Sequence, residues 1–394
     1  MTLRTSVSDA QRRTRLLHRH RLHSTTAAES VTDVVASVVA LHATTASTVY
    51  LSTWARLPGF GPADLETALY EDRSLIRQLA MRRTLFVFDR AALPDAIGAV
   101  GPRVTASERT NMLRDLRRSP DFDDPDGWID TARAAVRDEL AGGGALTSRQ
   151  LRERLPDLDG YVEISPGKSY GGRSPMGPRV LNMMSAAGDI VRGPNAAGWH
   201  LSRPAWSAMG EWLGEPLAPV DVADGHRRLI ERYVRAFGPV TETDIVWWLG
   251  STKTAVRSAL ADLDVVEVTL DSGEIGYLGA DDLDPLDELP PEGFLLPELD
   301  PTTMGHKQRD FYLGAHGAHV FDSNGNGGQT AWWDGRIVGG WRQLTGGEIE
   351  LHLLESVPAS AQRDLRRRAD ALAEWLGEVR PSPGYPAPFM KVRG

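Results

Sequence analysis

Apolar residues recur at three- and four-residue intervals along most of the chain up to about residue 260, and alternate along much of the remainder. AQRRTRLLHRHRL and VTDVVASVVALHA carry the helical spacing, the second with Ser30 or Thr32 as its N-terminal cap. GPADLETALYEDRSLIRQLAMRR continues as two short helices, and RTLFVFD alternates as a strand. The order then repeats. GWIDTARAAVRDELAGGG is a helix that ends in glycines, LTSRQLRERLP a second helix capped at Thr147 or Ser148, and SPMGPRVLNMMSAAGDIV a third; IVRGPNAAGWHLS turns as a hairpin. VADGHRRLIERYVRAFG, VTETDIVWWLG and STKTAVRSALADL give three more helices, with Gly250 in the turn before the last. VVEVTLDSGEIGYL closes that group as a hairpin turning at Asp271-Ser272-Gly273.

Helices followed by a hairpin, three times in succession, predict an α+β chain, mainly α, of tandem winged-helix units over residues 1–110, 111–215 and 216–280. Residues 281–394 begin within the acidic, Pro-rich linker GADDLDPLDELPPEG. FLLPELD, AHVFDSN, TAWWDG, RIVGGWRQL and GEIELHLLE then read as strands of a small antiparallel sheet or barrel. SAQRDLRRRADALAEWLGE closes the chain as an amphipathic helix capped by Ser360.

Composition adds exclusions. At 394 residues the chain is long for one core, so two to four domains are expected. Cysteine is absent, which removes disulfides, thiolate metal sites and cysteine nucleophiles together. No apolar run approaches the ~20 residues of a membrane helix, and the basic N-terminus lacks the apolar stretch of a signal peptide. A cytoplasmic address is expected, on the nucleoid when DNA is bound. The net charge of −9 is unevenly spread: residues 261–300 hold thirteen acidic side chains and no Lys or Arg, leaving the rest of the chain net positive. Arg4, Arg12, Arg13, Arg15, Arg19 and Arg21 precede the stretch VVALHATTASTVYLSTWARL, and Arg73, Arg77, Arg82 and Arg83 lie beyond it. Together they suggest a polyanion-facing surface.

Three motifs fail on spacing. Gly167-Lys168-Ser169 in SPGKSY lacks the glycine five places earlier that a phosphate loop needs, since Val162 stands there. His18, His20 and His23 lack a spacing that gathers metal ligands on a helix. SNGNGGQT lies between strands and not before a helix, unlike a dinucleotide cradle. No metal or other cofactor is called for.

VVALHATTASTVYLSTWARL holds the candidate chemistry. His42 and Thr44 are two apart, so they cannot share a face of a continuing helix. They converge only if the helix ends there, and the hydroxyl-rich TTAST run suggests that it does. This stretch, with RRTLFVFDRAALP, FLLPELDPTTMGHKQRDFYL and WWDGRIVGGWRQ in that order, resembles the winged-helix DNA glycosylases of the AlkZ/YcaQ-like family over essentially the whole chain. The resemblance implies three winged-helix units and a small C-terminal β-barrel in a C shape whose concave side holds DNA. In better-known branches of that family the positions matching His42 and Thr44 carry Gln-apolar-Gln or Gln-apolar-Asp, the pair that holds the attacking water. His-Ala-Thr stands here instead, with neither glutamine nor carboxylate.

On this reading the chain is a monofunctional DNA glycosylase, a hydrolase of alkylated nucleotides in duplex DNA. His42 is the general base and Thr44 positions the water. The resemblance implies N7-alkylguanine adducts, bulky natural-product ones included, in base excision repair or self-resistance to a genotoxin. Expected DNA contacts are Arg56, Arg82 and Arg83 near the motif; Arg173, Arg179, Lys253 and Arg257 in or before third helices; and Lys307, Arg309, Asn324 and Asn326 in the C-terminal region. Tyr50 and Trp54 share a helix face, and Trp54 reads as core. A monomer is expected, because repeated units already supply several binding surfaces. The rivals are a winged-helix regulator and a lesion-binding protein without activity.

Overall fold

The computed structural model describes residues 5–164, 172–218 and 220–391. SPGKSY and Arg4 lie outside them. The fold is α+β, and the chain divides into two compact units. The first comprises Met1–Leu65, Trp199–Leu201 and Arg227–Gly394; the second comprises Glu66–Gly198 and Ser202–His226.

In the first unit, helix α1 (Asp9–Arg19) starts where the Ser8 hydroxyl accepts the Gln11 N–H at 3.2 Å. Its partner is the acidic linker. Arg15 donates to the Asp282 carboxylate and to the Asp284 carbonyl, both at 2.7 Å, and Arg19 also pairs with Asp282. Further along, the Gln11 amide donates to the Leu286 carbonyl at 3.2 Å, and His18 and His23 bond the carbonyls of Asp287 and Pro290, each at 3.0 Å. Arg12 is buried with its guanidinium 3.6 Å from the centre of the Phe311 ring. The expected polyanion-facing cluster ahead of the motif is therefore corrected: Arg12, Arg15 and Arg19 are spent inside the protein, the latter two against the acidic segment that made the net charge negative.

Helix α2 (Val31–Ser37) is capped by Ser30, whose hydroxyl accepts the Asp33 N–H at 3.1 Å. It ends well before His42. Val38 leaves helical geometry and Val39 takes φ 67°, a left-handed conformation that is rare for a β-branched residue. The chain reverses there, runs extended through Leu41–His42, bends at Thr44, and enters helix α3 (Ala46–Trp54).

Helix α3 is buried on every side from Ala46 to Thr53, so its polar side chains need internal partners. The Thr48 hydroxyl donates to the Glu298 carbonyl at 3.2 Å, and the Ser52 hydroxyl to the Asp300 carboxylate at 2.7 Å. Arg56, just past the helix, grips both Asp300 oxygens at 2.8 Å and also donates to the Ser52 carbonyl, the Thr302 hydroxyl and the His20 carbonyl. At 1% exposure it reaches no phosphate, so the expected DNA contact at Arg56 is withdrawn.

The helices within Arg227–Gly394 keep the predicted order. Val222–Phe237 (in which the division between units falls), Glu242–Leu249 and Lys253–Ala261 precede the antiparallel hairpin Val265–Leu270 and Ile275–Gly279. Gly250 at φ 63° makes the turn between the last two helices. Beyond the linker, strands Gly293–Leu296, Thr330–Trp333, Arg336–Gln343 and Ile349–Leu353 form an open four-stranded antiparallel sheet, not a closed barrel. Helix Ala359–Leu376 covers it, packing Leu365, Ala369, Leu372 and Leu376 with Leu295, Ala331, Val338 and Trp341. That helix is preceded by Pro358 and not capped by Ser360, which lies inside it. AHVFDSN is a short helix (Gly317–Val320) and a loop, not a strand.

The second unit contains the hairpin Leu75–Leu79 and Leu85–Asp89, where the first strand replaces an expected helix. A 24-residue helix, Leu93–Leu116, runs through Pro102. Helices Pro125–Leu140, Ser148–Arg154 and Gly177–Ala187, with the hairpin Ile190–Asn195 and Pro204–Ala208, close around Ile129, Val136, Leu151, Leu181, Met184 and Trp206.

Asp300→Asn should leave the Arg56 charge buried and unpaired and cost about 3–5 kcal/mol of stability. Urea unfolding measures this, and a loss below about 1 kcal/mol would show that the pair does not anchor the helix.

Candidate active site

His42 ends the extended pair Leu41–His42, and Thr44 stands at the bend beyond Ala43, ahead of α3. His42 is 4% exposed, whereas Thr44 is open to solvent. Both lie next to the N-terminus of α3, where the first backbone N–H groups carry partial positive charge. Thr45 occupies the N-cap position with φ −92° and ψ 126°, but its hydroxyl makes no capping bond. The hydroxyl lies instead beside Gly384 and the Glu298 carboxylate, whose pKa it helps to lower.

Glu298 and Asp300 are functional-site candidates that sequence reasoning missed. Glu298 is 3% exposed, and burial pushes its carboxyl pKa up against the hydrogen bonds it accepts. A small cavity of about 50 Å³, lined in part by Ser47, Glu298, Gln329 and Gln343, lies beside it. The available signal was two acidic residues in the otherwise apolar FLLPELD. Further along α3, Tyr50 packs its ring 4.9 Å from Trp199, and Trp54 lies 6.3 Å from Trp375, which agrees with a packing role for Trp54.

The expected DNA contacts separate by exposure. Arg82 and Arg83 form the turn of the hairpin Leu75–Leu79 and Leu85–Asp89, at φ 53° and 62°. Tight hairpins favour Asn and Gly at such positions, so two arginines there carry backbone strain of the kind that gathers at functional sites. Arg83 is half exposed and pairs with Glu108. Arg173 lies on strand Gly172–Pro175 with its guanidinium 4.6 Å from the Tyr161 ring centre. Arg179 is mostly covered and bonded to Asp115 at 2.8 Å. Lys253 and Arg257 are exposed on their helix but share Glu242, at 3.7 and 2.5 Å.

Lys307 is exposed. Arg309 is buried, with Phe321 and Trp247 ring centres 4.1 and 5.2 Å away, so its expected phosphate contact is also withdrawn. Asn324 and Asn326 sit in a loop organised by Asp322, whose carboxylate accepts their backbone N–H groups at 2.8 and 2.9 Å. Asn324 is exposed and Asn326 is half-buried.

Two buried histidines brace the same region. His20 bonds the Thr302 hydroxyl at 2.8 Å and the Ala236 carbonyl at 3.1 Å, and His306 donates to the Phe237 carbonyl at 3.1 Å. Burial lowers both pKa values, His20 well below the usual range and His306 to about 4.

Residues 35–375 match the family model described as DNA glycosylase AlkZ-like. The chain belongs to the AlkZ-like DNA glycosylase family. Among solved structures, Streptomyces sahachiroi DNA glycosylase AlkZ is similar over 94% of this chain and 98% of that one, with a TM-score of 0.73 and 19% identity. At that identity the likeness speaks for the fold. No curated protein matches the chain.

Two measurements test these placements. The depressed His306 pKa means that the unfolded chain binds this proton near pH 6.5 and the folded chain near pH 4. Stability should therefore be full above about pH 6.5 and fall as pH drops toward 4. His306→Gln should flatten that slope in urea titrations, and an unchanged slope would contradict the assignment. Separately, Lys307→Glu should weaken duplex DNA binding and reduce the salt slope by about one, whereas Arg309→Met should leave that slope unaltered in folded protein.

Proposed function

We propose that the chain is a monofunctional DNA glycosylase that releases N7-alkylguanine, bulky natural-product adducts included, from duplex DNA. The observation that supports this reading most is that His42 and Thr44 fall together just ahead of the N-terminus of α3, in a chain that belongs to a DNA glycosylase family. Three winged-helix units and a DNA channel on a concave side belong to the same reading and rest on the resemblance. So do a monomeric state and a role in base excision repair or self-resistance.

The chemistry is consistent with a site lacking a carboxylate in its motif. A guanine alkylated at N7 is cationic and departs without a strong general acid. As the C1′–N9 bond breaks, the sugar develops oxocarbenium character. Thr44 orients a water, its oxygen bonds to C1′, and neutral His42 accepts the proton that the water releases. The products are free N7-alkylguanine, which keeps the bonding electron pair at N9, and an abasic site in an uncut strand.

Support for DNA contact comes from the residues that remain exposed: Arg83, Arg173, Lys253, Arg257, Lys307 and Asn324, with Arg82 beside Arg83 at a hairpin turn.

Wild-type protein incubated with an N7-methylguanine duplex should yield free base and alkali-labile sites without direct strand cleavage. His42→Ala should slow base release by about 10²–10⁴-fold. Release at the wild-type rate by that variant would remove His42 as the base. No release by the wild type from any N7-alkylguanine substrate, with retained binding, would favour lesion recognition without catalysis.

A further inference from the structure

The Glu298 carboxylate accepts two backbone donors and lies beside a hydroxyl from a distant part of the chain. The hydroxyl is that of Thr45, at the N-terminus of α3 and next to Thr44, and it helps to lower the Glu298 pKa. The N–H groups of Gly384 (2.9 Å) and Tyr385 come from the segment beyond the last long helix. That segment is itself fixed to the sheet. The Gln343 amide donates to the Val379 carbonyl at 3.2 Å, and Phe389 stacks on His352 with ring centres 5.0 Å apart and planes 5° from parallel. A Cβ at Gly328 would lie 2.3 Å from the Ala387 nitrogen, and one at Gly340 would lie 2.3 Å from the Phe389 ring. The sheet has thus been cleared of side chains where the segment crosses it. Gly384 meets Thr45 directly, since a Cβ there would stand 2.8 Å from the Thr45 hydroxyl oxygen.

We propose that Glu298 is a positioning residue for His42 and Thr44, and that it acts by latching Thr45 to residues 381–389. The inference rests on the glycosylase reading for its catalytic consequence, but the latch is a property of the chain itself. Two backbone N–H groups occupy the carboxylate, one on each oxygen, so its role is to hold and not to exchange protons with water. Burial raises its pKa, so this carboxylate is held in place at a cost in free energy that a mere surface contact would not carry. A threonine fixed by a buried carboxylate cannot rotate freely. Thr44, bonded to it through the chain, inherits that restriction, and so does the short link back to His42. A loosened link would spread the water-binding pair over several geometries, and small misplacements of reacting groups are costly in rate.

Two substitutions strike the latch from opposite sides. Glu298→Gln replaces one acceptor with an NH₂ group that faces an N–H donor. Gly384→Ala leaves the carboxylate intact and pushes the segment away from the Thr45 hydroxyl. Each should lower the single-turnover rate of base release by about tenfold or more, with the Kd for damaged duplex within about twofold of wild type. The double variant should be no slower than the worse single one, because both break the same contact. Amide hydrogen exchange across residues 42–46, read without DNA, should quicken by about tenfold or more in each variant.

Unchanged exchange across residues 42–46 in the folded variants would overturn the latch, as would a rate loss matched by an equal loss of affinity. If Glu298→Gln fails to fold, Gly384→Ala alone decides. If the wild type releases no base while exchange responds as expected, the glycosylase reading fails and the latch stands.

Discussion

A helix buried on all sides cannot leave hydroxyl and guanidinium groups unanswered, and α3 with Arg56 just beyond it answers three of them through a single segment of the C-terminal region. Thr48, Ser52 and Arg56 recur at helical spacing, and their partners are Glu298, Asp300 and Thr302. The bidentate Arg56–Asp300 pair is the strongest of these contacts and the most demanding, because both charges are removed from water. Its geometry admits little sliding or rotation of α3. His42 and Thr44 sit directly ahead of that helix, so the position of the candidate site is set by residues about 250 places away in sequence. The left-handed turn at Val39 delivers the chain to this point, and the buried Glu298 carboxylate lies beside Thr45, at the N-cap position.

Charge in this protein is largely an internal matter. The acidic linker lies along α1 and consumes arginines that, read along the chain, look free for a polyanion. Arg56 and Arg309 lie in family-like stretches and would serve as phosphate contacts by composition alone, yet one is clamped by a carboxylate and the other sits between aromatic rings. A smaller set on turns, a strand and a helix surface remains exposed. This division explains how a chain of net charge −9 belongs to a family of DNA enzymes: local exposure decides the field that a duplex meets.

Much of the fold is legible in the sequence because periodicity and capping agree. The helices around residues 125–140, 148–154, 177–187 and 242–261 fall where apolar spacing, Thr caps and glycine stops put them. Misreadings arise where tertiary contacts override local preference. LIRQL is a strand whose Gln78 amide nitrogen donates to the Ser185 carbonyl, a partner invisible to a local reading. Leu93–Leu116 stays helical through two glycines and a proline because it is packed along much of its length. The C-terminal sheet is anticipated by alternation, but nothing local separates an open sheet from a closed barrel. Within the site, the two residues of the motif stand out by their chemistry, while their supports do not. Glu298 and Asp300 look like surface acids until the buried face of α3 gives them partners.

If His42 and Thr44 act as one unit on one water, their contributions to the rate cannot be independent. A thermodynamic cycle of single-turnover base release from an N7-methylguanine duplex measures this, comparing wild type, His42→Ala, Thr44→Ala and the double variant. The double variant should be barely slower than His42→Ala alone, since a water without its base gains little from orientation. Losses that multiply independently, or a Thr44→Ala protein as fast as wild type, would show that the two residues do not share a water.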